Sequence, residues 1–474
     1  MMRSIAIIGA GYSGAATALL LGRRAREPLD LRLIDPRPAP GPGLAHSTPE
    51  PDHRLNGPDT IHSPYPDAPE HFATWMRDSG ALARDPGALA DTGRVFPRRH
   101  DYGAYLSAEV ARHARANPSG SRIGHVALPA QRLRVDADGC SVELGGGATL
   151  RTHACVLALG WDAPGVPAAL AGLVGHPRWI GDAWDPSALD RVPPRARVLL
   201  VGAGLTASDV FAALLARGHD GPVLALSRHG WRPASQNPFR ANDPLWERLL
   251  DPEPAFIRRH GAPRTVAALL RALREDIATV DPSRESWHGR FDDLRDASHR
   301  FWPELPAAER RRYMRHLKSR YDASRFRNPP QVERILERGI ASGRLAYAAG
   351  RLTHAVPDGD GLRVGFVERA TGAPREEVFD VVVNCTGPQP RPSASRNPVW
   401  RALLADGLVR DDPCGLGIEV DALGRPVGAD GRIRERLFAI GPPTAGSLGE
   451  TTAAPFISRR LLQMLDPLQT AARP

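Results

Sequence analysis

The chain has 474 residues, 42 % hydrophobic and 24 % charged, which is enough apolar content for two or three globular domains. Its formal net charge of +9 does not point to nucleic acid: of 62 Lys and Arg residues only Lys318 is a lysine, and the arginines are spread along the chain with no lysine-rich tail or aromatic-interleaved basic motif. Cys140, Cys155, Cys385 and Cys414 stand far apart, which excludes a C-x-x-C redox pair and zinc-ligand spacing. The sequence opens straight into a strand, leaving no room for a signal peptide, and its longest apolar runs fall short of a membrane span. The expectation is a soluble cytoplasmic protein with no metal and no nucleic-acid or membrane partner.

The first residues read as a strand over 5–8, a glycine turn, a helix over 14–24 and a second strand ending at Asp35, a βαβ unit. The turn is G-x-G-x-x-G, formed by Gly9, Gly11 and Gly14. In such a turn the first glycine permits the bend, the second lets a pyrophosphate approach the backbone, and the third lets helix and strand pack closely. Asp35 closes the next strand where an acid accepts from a ribose hydroxyl. A Pro/Gly-rich loop follows over 36–72, too long for a plain connector.

A second βαβ begins at Arg197: strand "RVLLVG", helix "TASDVFAALLARG", strand "PVLALSR". Its turn is G-x-G-x-x-A, from Gly202, Gly204 and Ala207, and its second strand ends in Ser227 and Arg228 instead of an acid. A carboxylate would repel a 2′-phosphate and a guanidinium can bind it bidentately, so the exchange favours NADPH over NADH. From 232 to 345 strand alternation disappears and helical patterns rich in Arg, Glu, Trp and Leu take over, a helical insertion in which Trp287, Trp302 and Tyr313 read as core. The run containing Arg315, His316, Arg325 and Arg327 reads as a solvated face or a set of internal ion pairs. Short strands then lead to a closing strand, turn and helix, with "DPLQTAARP" expected to fray. The fold class is α/β, with two Rossmann-like dinucleotide-binding domains and a helical insertion.

Two dinucleotides in one chain have a direct chemical use, since a nicotinamide delivers hydride to a flavin and the flavin passes electrons on. The first unit is assigned to FAD and the second to NADPH. This gives an FAD domain from residues 1–175 and 376–474, interrupted by an NADPH domain at 176–375.

The order of the FAD turn, "VLALGWDAP", the NADPH turn, "VVVNCTGPQP" and the C-terminal strand, turn and helix resembles the two-dinucleotide-domain flavoproteins, including class B flavin monooxygenases. More narrowly, "GLAHSTPEPDHRLNGP", "DAPEHFATWM", "FPRRHDYGAYL", "AERRRYMRHLKSRYDASRFRNPP" and "LFAIGPPTAGSLGETTAAP" are similar to the bacterial FAD-NAD(P)-binding family, related to amine N-hydroxylating monooxygenases. Two departures stand out. Leu170 replaces the aromatic residue of the class B motif around Gly172 and His176, with Trp179 one position early, which disfavours Baeyer-Villiger chemistry. Gly441 is followed by Pro442 where many FAD proteins carry an aspartate.

The resemblance implies that NADPH reduces FAD and that a C4a-hydroperoxyflavin formed with O2 oxygenates a small nucleophilic amine or amino acid. It places Gly387, Gly441, Thr451 and Thr452 at the flavin, Asn56 beside the isoalloxazine edge, and His53 and His62 as candidates for proton exchange. Glu450 reads as structural. Two rival readings remain, an NAD(P)H-dependent reductase serving a quinone or carrier and a non-catalytic redox sensor.

Overall fold

The computed structural model describes residues 2–239 and 245–472. Its first sheet is five-stranded and parallel: Arg3–Ile8 lies between Leu29–Ile34 and Ala154–Leu157, with Arg122–Val126 and Leu437–Ala439 at the edges. The central strands are continuous apolar runs because both faces are covered. Alternate residues go to different cores: Ile5 and Ile7 pack with Leu19 and Leu20 of the helix Tyr12–Arg24, and Ala6 and Ile8 pack with Leu133, Val142 and Trp400. That second face is built by a three-stranded antiparallel sheet, Ala130–Asp136, Gly139–Leu144 and Thr149–Thr152, and by the helix Pro398–Ala405.

The second sheet has seven strands. Val198–Val201 sits between Val223–Ser227 and Val381–Asn384, with Leu345–Asp358 and Trp179–Ile180 outside them, all parallel, and Gly361–Glu368 and Pro374–Phe379 extend it as an antiparallel ribbon. Two Rossmann-type units are therefore present in one chain. Val381–Asn384, beyond the expected division at 375/376, pairs within the second sheet before the chain returns to the first. The connections between units lie side by side, Asp162–Pro164 pairing antiparallel with Pro388–Gln389.

Between Ser227 and Leu345 the described residues form helices and no strand. Phe256, Leu269, Leu294, Phe301 and Trp302 give this segment a core of its own. The helix Pro330–Ala341, however, packs Val332 and Leu336 against Phe211 of the second unit, so it covers that sheet and does not belong to the separate core. The C-terminal helix, Ala454–Ala471, runs through Pro467 instead of fraying. Leu468 and Ala472 are fully buried, Arg26 N donates to Gln469 Oε1 (2.9 Å), and an Arg436 guanidinium nitrogen donates to Ala471 O (3.1 Å), so tertiary contacts hold an end whose composition suggested a loose tail.

Candidate dinucleotide sites

The first turn is fixed by close backbone approach. Gly9 has φ +98°, and a Cβ there would lie 2.3 Å from Ala158 O; a Cβ on Gly14 would lie 1.9 Å from Gly9 O. The helix Tyr12–Arg24 begins at Gly11 with no side-chain cap, so its first-turn amides face outward as an anion cradle. Gly41 N donates to Ala10 O (2.7 Å), and a Cβ on Gly43 would lie 2.7 Å from Gly11 Cα. Gly41 and Gly43 therefore build the same cradle from the far side, and sequence reading passed over them because "PAPGPG" looks like any flexible loop. Asp35 is buried at the strand end, but its carboxylate already accepts from Ala10 N (2.9 Å) and Arg37 N (3.0 Å). The half-exposed Arg37 guanidinium also reaches this carboxylate, with long contacts of 3.4 Å.

The three candidate residues of the long loop have different surroundings. His53 is buried, with Nδ1 2.9 Å from Thr48 Oγ1 and Nε2 3.3 Å from Asp209 O. The carbonyl can only accept, so the proton sits on Nε2 and both ring nitrogens are used. Burial also lowers its pKa. His53 thereby bridges the long loop to the helix Leu205–Ala216. His62 donates Nδ1–H to Pro58 O (2.8 Å), its carbonyl accepts from Tyr102 OH (2.6 Å), and burial pulls its pKa down to about 4, which leaves it neutral near pH 7. Asn56 is half-buried; its carbonyl accepts from Gln236 Nε2 (2.8 Å), and no described residue hydrogen-bonds its side-chain amide.

The second turn repeats the first with more space. Gly202 has φ +124°, and a Cβ there would lie 2.3 Å from Cys385 O, but a Cβ on Gly204 would meet nothing within 4 Å. Ala207 is buried, and the helix Leu205–Ala216 likewise lacks a side-chain cap. At the end of the next strand Ser227 Oγ accepts from Gly230 N (3.0 Å), and Arg228 reaches out to Ser319 Oγ (3.1 Å) with no carboxylate partner among the described residues. His229 and Trp231 stack with centroids 4.3 Å apart, and Arg320 lies 5.2 Å from the Trp231 ring. Burial, then Arg369 and Arg228, lower the His229 pKa, so this strand end is cationic even though the imidazole is neutral.

The two units are joined by charge. Arg99 and Asp209 form a buried ion pair at 2.8 Å with Arg99 also over the Trp184 ring at 5.4 Å, and Arg217 grips Glu50 through two contacts of 2.6 and 2.8 Å.

At the C-terminal turn Gly441 has φ +86°, and a Cβ would lie 2.5 Å from Ser13 Oγ, so this turn abuts the first cradle. Tyr12 OH donates to Ala454 O (3.0 Å) and accepts from Ser458 Oγ (2.7 Å), tying the first helix to the last. Thr451 is buried with no partner for its Oγ1 among the described residues, beside the uncapped start of the helix Ala454–Ala471. Thr452 is engaged, its N donating to Glu450 Oε1 (3.2 Å) and its hydroxyl to the same atom. Glu450 in turn pairs with Arg325 (3.3 Å), and Arg327 with Asp292 (3.1 Å), in keeping with internal ion pairing in that run. Gly387 turns with φ +84° at the junction between the units. Cys140 and Cys155 are buried with Leu133, Val142 and Trp400 on the second face of the first sheet, and burial raises both thiol pKa values.

Residues 6–162 match the family model described as FAD-NAD(P)-binding. No curated protein matches the chain. Among solved structures, the chain is similar to ornithine hydroxylase from Pseudomonas aeruginosa (16 % identity, TM-score 0.64, all of both chains). It is also similar to L-lysine 6-monooxygenase from Pseudomonas syringae (19 % identity, TM-score 0.62, 99 % of this chain and all of the other). A third, the FAD-bound cadaverine monooxygenase of desferrioxamine biosynthesis from Erwinia amylovora, is 13 % identical with TM-score 0.66 over all of this chain and 96 % of the other. At these identities the shared property is the fold.

Proposed function

We propose that this chain is an FAD- and NADPH-dependent monooxygenase that inserts one atom of O2 into the N–H bond of a small primary amine or amino acid, releasing the other as water with NADP+. The observation that carries this reading is the full-length fold shared with three enzymes whose named substrates, ornithine, lysine and cadaverine, are all primary amines. Two uncapped glycine turns of unequal openness support the division of cofactors. No helix among the described residues is long and apolar enough to cross a membrane, and we assign the enzyme to the cytoplasm, where NADPH is supplied.

The first turn suits a dinucleotide pyrophosphate. Its glycines leave no room for side chains, and the amides that open the helix Tyr12–Arg24 have no internal cap. Gly9, Gly11 and Gly14, with Gly41 and Gly43 opposite, would hold the FAD diphosphate, with Asp35 toward the ribose. Gly441, Thr451, Thr452 and Gly387 would line the flavin end. The bound flavin supplies the activation of O2 once NADPH has reduced it.

Gly202, Gly204 and Ala207 would receive the NADPH diphosphate, with Ser227 and Arg228 at the 2′-phosphate. The side-chain amide of Asn56 is free to hydrogen-bond at the flavin edge. His53 acts as a positioning residue, holding the Asn56 loop to the NADPH-binding helix, and neutral His62 packs against Tyr102 (5.4 Å), helping to keep water out of the site. Residues 1–175 and 385–474 would form the FAD unit and 176–384 the NADPH unit with its helical segment.

The test is anaerobic reduction by NADPH followed by exposure to air with a series of amines and amino acids, measuring hydroxylamine product and hydrogen peroxide separately. Amine-dependent hydroxylamine formation with little peroxide is the expected result. Stoichiometric peroxide with every amine would indicate a reductase, and failure of NADPH to bleach the flavin would indicate a sensor.

A further inference from the structure

A cleft of about 640 Å3 opens between the helix His288–Phe301, the segment 419–422 and the C-terminal helix Ala454–Ala471, and none of the fingerprint glycines lines it. Arg459, Arg460 and Arg300 line it, along with apolar Ile257 and Phe456. Arg459 is the unusual member. It is only 7 % exposed, yet no described carboxylate, hydroxyl or carbonyl accepts from its guanidinium.

The neighbouring charges are otherwise engaged. Arg460 donates to Gln463 Oε1 (2.6 Å) and to Ala422 O. Asp296, the carboxylate nearest in electrostatic effect, accepts from Arg248 (2.8 Å) and Arg295 (2.7 Å). Of the acids lining the cleft, Asp421 is held by Arg425 (2.8 Å), Glu419 by Arg410 (2.8 Å) and Glu450 by Arg325 (3.3 Å), Asp412 accepts from Cys414 N (2.7 Å) with its pKa raised by burial, and Glu304 is exposed at the rim. Burial and the adjacent Arg460 lower the Arg459 pKa only to about 10, so it is a cation near pH 7; burial and Arg459 hold His299 down at about 3, so the imidazole adds no charge. A buried guanidinium without a counterion is strongly disfavoured until an anion completes it.

We infer that this cleft is a binding site for a small organic anion, whose carboxylate or phosphate group sits on the Arg459 guanidinium flanked by Arg300 and Arg460 and whose apolar body lies against Ile257 and Phe456. A planar guanidinium offers either group two parallel donors, so both share the same recognition. The cleft is lined by none of the glycines of the two dinucleotide turns but shares Thr451 with the C-terminal turn that would line the flavin end, and anion binding on Arg459 stands whether or not the monooxygenase reading holds.

The test is thermal unfolding of the FAD-loaded protein at fixed ionic strength, titrated separately with hexanoate and hexyl phosphate against a sodium chloride control. A saturable rise in Tm with at least one probe is expected, and the probe with the lower midpoint identifies the group preferred. Arg459→Leu should weaken that midpoint at least tenfold while leaving the ligand-free protein no less stable, because it removes an uncompensated charge. Arg300→Ala, at an exposed position, should weaken the midpoint several-fold without changing the ligand-free Tm, and it decides the matter if Arg459→Leu is not recovered folded. No saturable response to either probe, or unchanged midpoints in the recovered variants, would overturn the assignment.

Discussion

Gly14 and Gly204 belong to the same fingerprint repeated, yet they fail differently when given a methyl group. At Gly14 the added Cβ would lie 1.9 Å from Gly9 O, so helix and strand must separate. Gly14→Ala should therefore lose bound FAD on purification and lower Tm by several degrees. At Gly204 a Cβ meets nothing, so Gly204→Ala should fold with full flavin content. Its methyl group instead occupies the space where the second pyrophosphate would approach, and the KM for NADPH should rise about tenfold or more, roughly 1.4 kcal/mol per tenfold. Flavin absorbance per protein and steady-state kinetics separate the two outcomes; equal flavin loss in both variants would contradict the division. Such glycines are legible in sequence because a backbone constraint leaves a fixed spacing. Arg459 is not, because in a chain whose basic residues are nearly all arginine its one distinguishing property is the absence of a partner among the described residues, which exists only after folding.

At the scale of elements, the loop that carries His46 and His62 is welded to the helix Arg99–Arg115 through Tyr102, with ring centroids 4.9 and 5.4 Å away. Burial holds His46 at about 3 and His62 at about 4, both below the unfolded value near 6.5. Between about 4 and 6.5 the unfolded chain therefore binds more protons than the folded one, and stability rises with pH across that window. These histidines contribute nothing unfavourable above 6.5 and weaken the fold as pH falls below it, by at most ~1.4 kcal/mol per pH unit for each group. Urea unfolding at pH 7.5 and 5.0 should show a smaller loss in His62→Gln than in the wild type; an identical loss would mean that His62 is protonated in the folded state. Sequence marked this loop as functional by its length but could not rank its residues, since burial and hydrogen bonding separate bridging His53 from neutral His62 and from Asn56 with its free amide. Element ends were read least well. Val381–Asn384 was drawn into the second sheet by strand pairing, and 466–471 became helix because Leu468 is buried, neither of which periodicity encodes.

For the whole molecule, hydride transfer between the proposed cofactors would depend on how the two units are held, and the buried pair of Arg99 with Asp209 joins them close to the second turn, five residues beyond Gly204. Asp209 sits on the helix that would bind the NADPH diphosphate, and Arg99 opens the helix packed on the Asn56 loop. Asp209→Asn leaves Arg99 buried without its counterion, a loss of about 3–5 kcal/mol for an unrelieved charge, reduced here by the Trp184 face beneath it. The expected variant retains FAD, unfolds at a lower temperature and is reduced more slowly by NADPH under single-turnover conditions. Replacing both partners, Arg99→Met with Asp209→Leu, removes the uncompensated charge and should recover most of the stability, since apolar isosteres commonly match a buried pair. If orientation of the units matters to hydride transfer, reduction should stay slow in the double variant after stability returns. If reduction recovers in step with Tm, the pair serves only to hold the fold together.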